Sequence, residues 1–127
     1  MLRIRQAAVV VGMGLLSAVN APAMERWAAL SMIESGDNDR AVGRQGEVSR
    51  FQIRPELWPG GNSSEQQDAL TAARELMKPR LWKFEKTHGR QANDFEFYVL
   101  WNAPREVDHP SKAGTERALR FVNLVHD

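Results

Sequence analysis

Apolar residues recur at helical spacing along most of this chain, and clusters of Gly, Pro, Asn and Ser separate the periodic segments. No convincing strand extends beyond the few residues around Phe51 to Ile53. With 127 residues, of which 43% are hydrophobic, the chain is long enough for one domain and too short for two. Cysteine is absent, so helix packing alone must hold the fold together without disulfides. We therefore expect a small, mainly α single domain.

The order of the helices follows from the residues that start and stop them. The first helix is predicted over residues 24–34, and a loop rich in Gly, Asp and Asn, from Gly36 to Gly46, should fold back over its end. The remaining capping and breaking residues predict a helical turn after Pro55. They also predict a second helix that starts at Ser63 or Ser64, kinks or breaks at Pro79 and ends at Gly89. A third helix should run from Asn93 or Asp94 to Pro104, and a last helix through Leu119, Val122 and Val125.

The first residues have the pattern of a secretory signal peptide. Arg3 and Arg5 precede an apolar stretch over residues 7–19, and a small-residue cleavage site follows at residues 21–23. The apolar stretch is shorter than the roughly 18 to 20 residues that span a bilayer, which disfavours a retained anchor. We expect cleavage after Ala23, a mature domain over residues 24–127, and a secreted or periplasmic protein without a stable membrane anchor.

Charge and histidine spacing limit the possible partners. Removing residues 1–23 removes two arginines and no acidic residue, which changes the formal net charge from +1 to −1. A nearly neutral chain without a basic run is not typical of nucleic-acid binding, and we expect no nucleic-acid partner. Lys83 and its basic neighbours at positions 78, 80 and 86 are predicted to form the wet face of a helix. The three histidines, His88, His109 and His126, lack ligand spacing, so neither a metal site nor a cofactor is expected.

Glu34 is the strongest candidate for a chemical role. It follows Trp27 and Leu30 at helical spacing, so the acid shares a face with two large apolar residues. Burial and the negative end of the helix dipole both disfavour the carboxylate and raise its pKa, as a general acid requires near neutral pH. The alternative is an ordinary solvated glutamate in a last turn that Gly36 caps.

The residues after Glu34-Ser35 resemble a family motif. Residues 41–53, AVGRQGEVSRFQI, are similar to the second motif of the Slt-type lytic transglycosylases of the lysozyme-like superfamily. In that family a Glu-Ser pair is followed at the same spacing by Ala-Val-Ser-Pro-x-Gly-Ala-x-Gly-Leu-Met-Gln-Ile. Leu100 to Pro104, with Val107 after it, resembles the third motif, Ala-Tyr-Asn-Ala-Gly-Pro. This chain departs from the pattern at residues 49–51, Ser-Arg-Phe in place of Gly-Leu-Met, and lacks the glycine of the third motif.

The resemblance implies a lysozyme-like fold and a peptidoglycan glycan strand as substrate. It implies that Glu34 alone protonates the oxygen between N-acetylmuramic acid and N-acetylglucosamine, with help from the acetamido group of the substrate. The same residue then deprotonates the C6 hydroxyl, which leaves a 1,6-anhydromuramic end. Ser35, Gln52 and Asn102 carry over from the family motifs as residues that bind the sugar.

Four of the candidate binding residues have a structural alternative. Gln52 could be an amide that ties the loop to a helix, and Asn102 could cap the third helix. Trp101 replaces the tyrosine of the third motif and could stack on a sugar, as could Tyr98 one turn earlier. Both aromatics also stand at core spacing, where packing is the commoner role.

Glu47 decides between two kinds of enzyme. It stands where the family has a small residue, and a second carboxylate that positions water would make the protein a lysozyme-type hydrolase. The favoured alternative is a loop charge paired with Arg44 or Arg50. Asp37 and Asp39 are predicted to form turns. A wall-binding or assembly protein without turnover stays open as well, because residues 49–51 depart from the family pattern.

Overall fold

The computed structural model describes residues 23–58 and 66–126, with the side chain of Gln66 excepted. These residues form four helices: α1 (Arg26–Ser35), α2 (Gln66–His88), α3 (Asp94–Asn102) and α4 (Lys112–His126). Two 3-10 turns lie at Pro55–Leu57 and Pro104–Glu106. The described part of the chain has no strand beyond isolated bridges that join Val48 to Val42 and to Ile53. The expectation of a small, mainly α domain is therefore confirmed.

Two of the sequence predictions concern residues that the structure does not describe. The signal peptide, apart from residue 23, and the cap at Ser63 or Ser64 lie outside the described residues. Within residues 23–58 and 66–126, no helix combines the length and the apolar character that crossing a membrane requires.

Two helix ends have the caps that the sequence predicts. Gly36 adopts a left-handed backbone (φ 66°) after α1, and its N–H donates to the Met32 carbonyl at 2.9 Å. Asn93 caps α3 in a reciprocal pair with Glu96, in which each side chain accepts from the other residue's backbone N–H. α1 begins two residues later than predicted, because Glu25 is its N-cap and accepts from the Trp27 N–H at 2.6 Å.

Of the kink or break predicted at Pro79, the break is wrong, since α2 is one helix from Gln66 to His88. Proline has no N–H to donate to the carbonyl four residues earlier, that of Glu75. Both residues are exposed, so water can satisfy that carbonyl. The helix therefore continues through a residue that usually ends one.

The core lies where α1, α3 and α4 pack together. Leu30 of α1, Tyr98 of α3 and Phe121 of α4 have no exposed surface. α2 adds Met77, which is also fully buried. Leu119 was predicted for the apolar face of α4 but is 51% exposed, because the buried stripe runs through positions 114, 118 and 121 instead.

The loop between α1 and the first 3-10 turn folds back onto the end of α1, as predicted. Phe51 and Ile53 anchor it in the core, each 2% exposed. The Phe51 ring makes edge contacts with Trp27, at 6.1 Å between centroids, and with Trp101, at 6.4 Å. Phe51 thus joins α1, the loop and α3, and it fixes the loop beside the last turn of α1.

Candidate active site

Glu34 lies in the last turn of α1 with only 11% of its side chain exposed. The helical spacing places it above Leu30, which is fully buried. Burial is the largest influence on this carboxyl group and raises the pKa of Glu34 above its ordinary value. The raised pKa expected from the sequence is supported, and the alternative of a solvated glutamate is wrong, although Gly36 does cap the helix as predicted.

Two side chains hold one oxygen of Glu34. The hydroxyl of Tyr98 donates to Oε2 at 2.8 Å, and Nη2 of Arg117 lies 3.3 Å from the same atom. Nε of Arg117 also donates to the Tyr98 hydroxyl at 2.8 Å, which fixes the direction of the chain from Arg117 through Tyr98 to Glu34. Both contacts lower the pKa of Glu34 and so oppose the larger effect of burial.

This arrangement distinguishes the two oxygens of Glu34. Both donors act on Oε2, and among the described residues no hydrogen bond is made to Oε1. A protonated carboxyl group places its hydrogen on the oxygen that is not already accepting hydrogen bonds. The acidic proton of Glu34 therefore belongs on Oε1.

Arg117 is not among the site residues predicted from the sequence. It stands on the buried stripe of α4, between Gly114 and Ala118 and one turn before Phe121. A charged residue within an apolar helical stripe is a signal that was available, since such a residue needs a partner in the interior. Its partners are 83 and 19 residues away in the sequence, so the pairing itself had no local sign.

Glu34 opens onto a cleft of about 380 Å³. The walls come from α1, the loop, the first 3-10 turn, α2 and the end of α3. The lining residues are Glu34, Glu47, Gln52, Ile53, Arg54, Leu57, Leu76, Arg80, Trp101, Asn102 and Pro104. The structure thus brings together four predicted site residues, namely Glu34, Gln52, Trp101 and Asn102.

Gln52 reaches the cleft and also ties the loop together. Its backbone is left-handed (φ 53°), and its amide donates to the Ala41 carbonyl at 3.1 Å and to the Ser49 carbonyl at 2.9 Å. Both amide hydrogens are therefore engaged by the loop, and the carbonyl oxygen of the side chain is the part left for a ligand. The alternative of an amide that ties the loop to a helix is wrong, because both bonds stay within the loop, and they are compatible with a place in the cleft.

Ser35 and Tyr98 were predicted to bind substrate, but neither lines the cleft. The Ser35 hydroxyl donates to the Arg50 carbonyl at 2.8 Å and accepts from the Asn38 N–H at 3.0 Å, so it joins the loop to α1. Tyr98 has no exposed surface, and its polar contacts go to Glu34 and Arg117. Their positions favour holding the acid and its loop over contact with sugar.

Trp101 and Asn102 form the far wall at the end of α3. Trp101 is half-buried and packs its ring edge against Phe51, while Asn102 is exposed. Asn102 is the last helical residue, and the cap is Ala103, whose N–H donates to the Val99 carbonyl at 2.7 Å. The capping alternative for Asn102 is therefore wrong, and its amide is exposed in the cleft.

Glu47 faces the same cleft from the loop. The predicted pairing with Arg44 or Arg50 is wrong, because Arg50 makes a two-pronged pair with Asp39, at 2.7 and 3.1 Å. Glu47 instead accepts from the Gln45 N–H at 2.9 Å, and hydrogen bonds from backbone N–H groups hold the pKa of Glu47 below its ordinary value. Its negative charge in turn helps to raise the pKa of Glu34.

Asp37 and Asp39 were predicted to form turns, and each also binds a side chain. Asp37 has a left-handed backbone (φ 67°), and its carboxylate accepts from the Ser31 hydroxyl at 2.6 Å. Asp39 binds Arg50, which lowers the pKa of Asp39. These contacts brace the loop that carries Glu47 and Gln52.

The absence of a side chain at Gly43 leaves room for the ends of the two cleft side chains next to it. A Cβ at this position would collide with Oε1 of Glu47 and lie 2.7 Å from Oε1 of Gln52.

Within residues 23–58 and 66–126, no group of three or more His, Asp or Glu side chains has the arrangement of a metal site. The polar groups of the cleft are acids, amides and guanidinium groups, and apolar side chains complete its walls. Arg80 donates to the carbonyls of Leu100 and Trp101 at 2.9 and 3.0 Å, so its guanidinium is fixed rather than mobile. The prediction that residue 80 belongs to a wet helix face is therefore wrong.

Comparisons of the chain with protein-family models, with curated proteins and with solved structures returned no match.

Proposed function

We propose that this protein is an exported enzyme that cleaves peptidoglycan, a lytic transglycosylase with Glu34 as its only acid and base. The observation that supports it most is a single buried carboxyl group with a raised pKa on the wall of an open cleft. A general acid needs these properties to hold a proton near neutral pH and to deliver it to a ligand. The fold we propose is the lysozyme-like fold of that family.

In the proposed reaction Glu34 gives its proton from Oε1 to the glycosidic oxygen as the bond to C1 of the muramic sugar breaks. The acetamido oxygen of that sugar forms a bond to C1 in place of the leaving group. The C6 hydroxyl then attacks C1, the acetamido bond breaks, and Glu34 takes the hydroxyl proton. No water is consumed, and the muramic sugar is left with a 1,6-anhydro ring.

Tyr98 and Arg117 would act between the two proton transfers of this reaction. Once Glu34 has given up its proton, it is a buried carboxylate, which is costly without partners. The contacts to Oε2 from Tyr98 at 2.8 Å and from Arg117 at 3.3 Å stabilise that state. Burial favours the acid form and these contacts favour the base form, so one residue can alternate between them.

A second candidate is a lysozyme-type hydrolase that uses Glu47 as well. The observation in its favour is that Glu34 and Glu47 line one cleft with their pKa values shifted in opposite directions, up for Glu34 and down for Glu47. Two carboxyl groups whose pKa values are shifted apart in this way are typical of an acid paired with a base or nucleophile.

The deciding experiment digests purified sacculi with the mature protein and weighs the released fragments by mass spectrometry. A transglycosylase releases 1,6-anhydro ends about 18 Da lighter than hydrolysed ends, and Glu47→Gln leaves them unchanged. Ends that take up labelled oxygen from water, and vanish in Glu47→Gln, would establish the hydrolase instead. Glu34→Gln should reduce release by at least about 10²-fold in either case. Binding to sacculi without any release would exclude both enzymes.

A further inference from the structure

The residue that follows the predicted cleavage site binds the last helix of the fold. The backbone N–H of Met24 donates to the carbonyl of Leu124 at 3.0 Å. Met24 is half-buried and packs against the core, whereas Ala23 before it is exposed. The chain therefore enters the packed domain at Met24, between the start of α1 and the last turn of α4.

The Leu124 carbonyl is one of the groups that a helix cannot satisfy by itself. A helix leaves its last four carbonyls without partners inside the helix, and they form the negative end of its dipole. Leu124 stands two residues before His126, the last residue of α4, so its carbonyl belongs to this set. Met24 thus contacts α4 where a positive charge stabilises a helix most.

Cleavage after Ala23 would place a positive charge at this position. In the uncut chain the nitrogen of Met24 is a neutral amide, and in the mature chain it is an ammonium group. A hydrogen bond from a charged donor is roughly twice as strong as one between neutral groups. The contact with Leu124 would therefore become stronger without any movement of the chain.

The charged side chains around this position leave the carbonyl as the partner of the ammonium group. The carboxylate of Glu25 accepts from the Trp27 N–H at 2.6 Å, so it offsets the positive end of the α1 dipole. Asp94 is already paired, with Arg26 and with His126, at 2.6 Å in each case. These two pairs also join α1, α3 and α4 at the same end of the domain.

We propose that cleavage after Ala23 completes a cap on α4, in which the new ammonium group of Met24 binds the Leu124 carbonyl. The inference rests on the cleavage predicted from the sequence and is independent of the catalytic reaction. α4 also carries Arg117, which contacts Glu34. Removal of the leader would therefore stabilise the helix that completes the arrangement around the acid, and the uncut chain would lack this contribution.

The test compares two forms of the mature chain, residues 24–127. One form has a free amino group at Met24, and the other is acetylated there, so it keeps an N–H donor without the charge. At about pH 6.5, acetylation should lower the melting temperature by roughly 2 to 6 °C. At about pH 10 the difference should disappear, because an ordinary α-amino group has a pKa of about 8 and is neutral there.

Amide hydrogen exchange shows where the effect arises. Acetylation should speed exchange most in the last turn of α4, residues 123–126. The last turn of α2 is the internal control, since the Gly89 N–H closes that helix by donating to the Glu85 carbonyl at 2.8 Å. A chain that starts at Ala23 is the matched control for the position of the charge, and it should behave like the acetylated form.

Four results would overturn the inference. They are equal stability of the free and acetylated forms, higher stability of the acetylated form, a difference that persists at about pH 10, and an exported protein that mass spectrometry shows to begin at a residue other than Met24. These measurements need no substrate. A mature chain that shows the stability difference but releases nothing from sacculi would refute the proposed function and leave this inference standing.

Discussion

The hydroxyl of Tyr98 lies 2.8 Å from Oε2 of Glu34 and donates a hydrogen bond to it across 64 residues of sequence. Because that hydroxyl has a single proton, it must accept from Arg117 at its other side. The result is a one-way chain that ends on one oxygen of the acid and leaves the other for a ligand.

Arg117→Met should move the alkaline limit of activity to higher pH. Glu34 must be protonated to act as the acid, so activity falls as the pH rises through its pKa. Arg117 lowers the pKa of Glu34, and its removal therefore raises that pKa further. The measurement is kcat/KM against pH on soluble glycan fragments. Arg120→Met, at an exposed position of the same helix, is the control, and an unchanged or lower limit in Arg117→Met would contradict the proposed role.

Glu34→Gln should become more stable than the parent as the pH rises. The folded-state pKa of Glu34 is raised above 4.5, so its folded form favours the proton. The stability that this carboxyl group contributes is complete below 4.5 and is lost as the pH rises through the raised pKa. Glutamine never ionises, so it avoids that loss. Urea unfolding at several pH values measures the difference, with exposed Glu116→Gln as control. If the difference in the free energy of unfolding between Glu34→Gln and the parent stays constant with pH, the pKa of Glu34 is not raised.

Phe51→Ala should lower the free energy of unfolding by about 3 to 5 kcal/mol, because it empties a site between Trp27 and Trp101 in the core. Phe51→Met introduces the residue that the family motif has here and conserves most of the volume, so its cost should stay below about 1.5 kcal/mol. Chemical denaturation checks both values. Equal losses in the two variants would mean that the ring contacts, and not the filled volume, hold the loop.

Gln52→Ala and Asn102→Ala should each reduce turnover by less than Glu34→Gln does. Both residues line the cleft, but neither contacts the acid, so they position the ligand without transferring its proton. Gln52→Ala should also lower the melting temperature, since two hydrogen bonds within the loop are lost. Asn102→Ala should leave it unchanged, because that side chain is exposed. Complete inactivity in a folded Asn102→Ala variant would give Asn102 a catalytic role.

The sequence was sufficient for the local features of this site. Helical spacing against Leu30 predicted that Glu34 is buried, and glycine positions predicted the loop that covers it. The sequence was not sufficient to predict which polar groups that are distant along the chain form pairs. Arg50 has acids on both sides in the sequence, and only the folded loop decides that Asp39 is its partner and Glu47 is left in the cleft. Contacts of this kind depend on tertiary packing, which local spacing does not encode.

The hydrogen-bond chain from Arg117 also makes the acid dependent on the last helix of the fold. Glu34, Tyr98 and Arg117 come from α1, α3 and α4, so the complete arrangement exists only after all three have docked. A folding intermediate without α4, or a chain cut in the segment before it, would keep Glu34 in its helix while losing both the guanidinium and much of the burial around it. Such a species would carry every motif residue and still lack the hydrogen-bond chain on which the proposed activity depends. The proposed activity is thus a property of the whole packed domain, and the C-terminal helix is required for it although it carries none of the motifs.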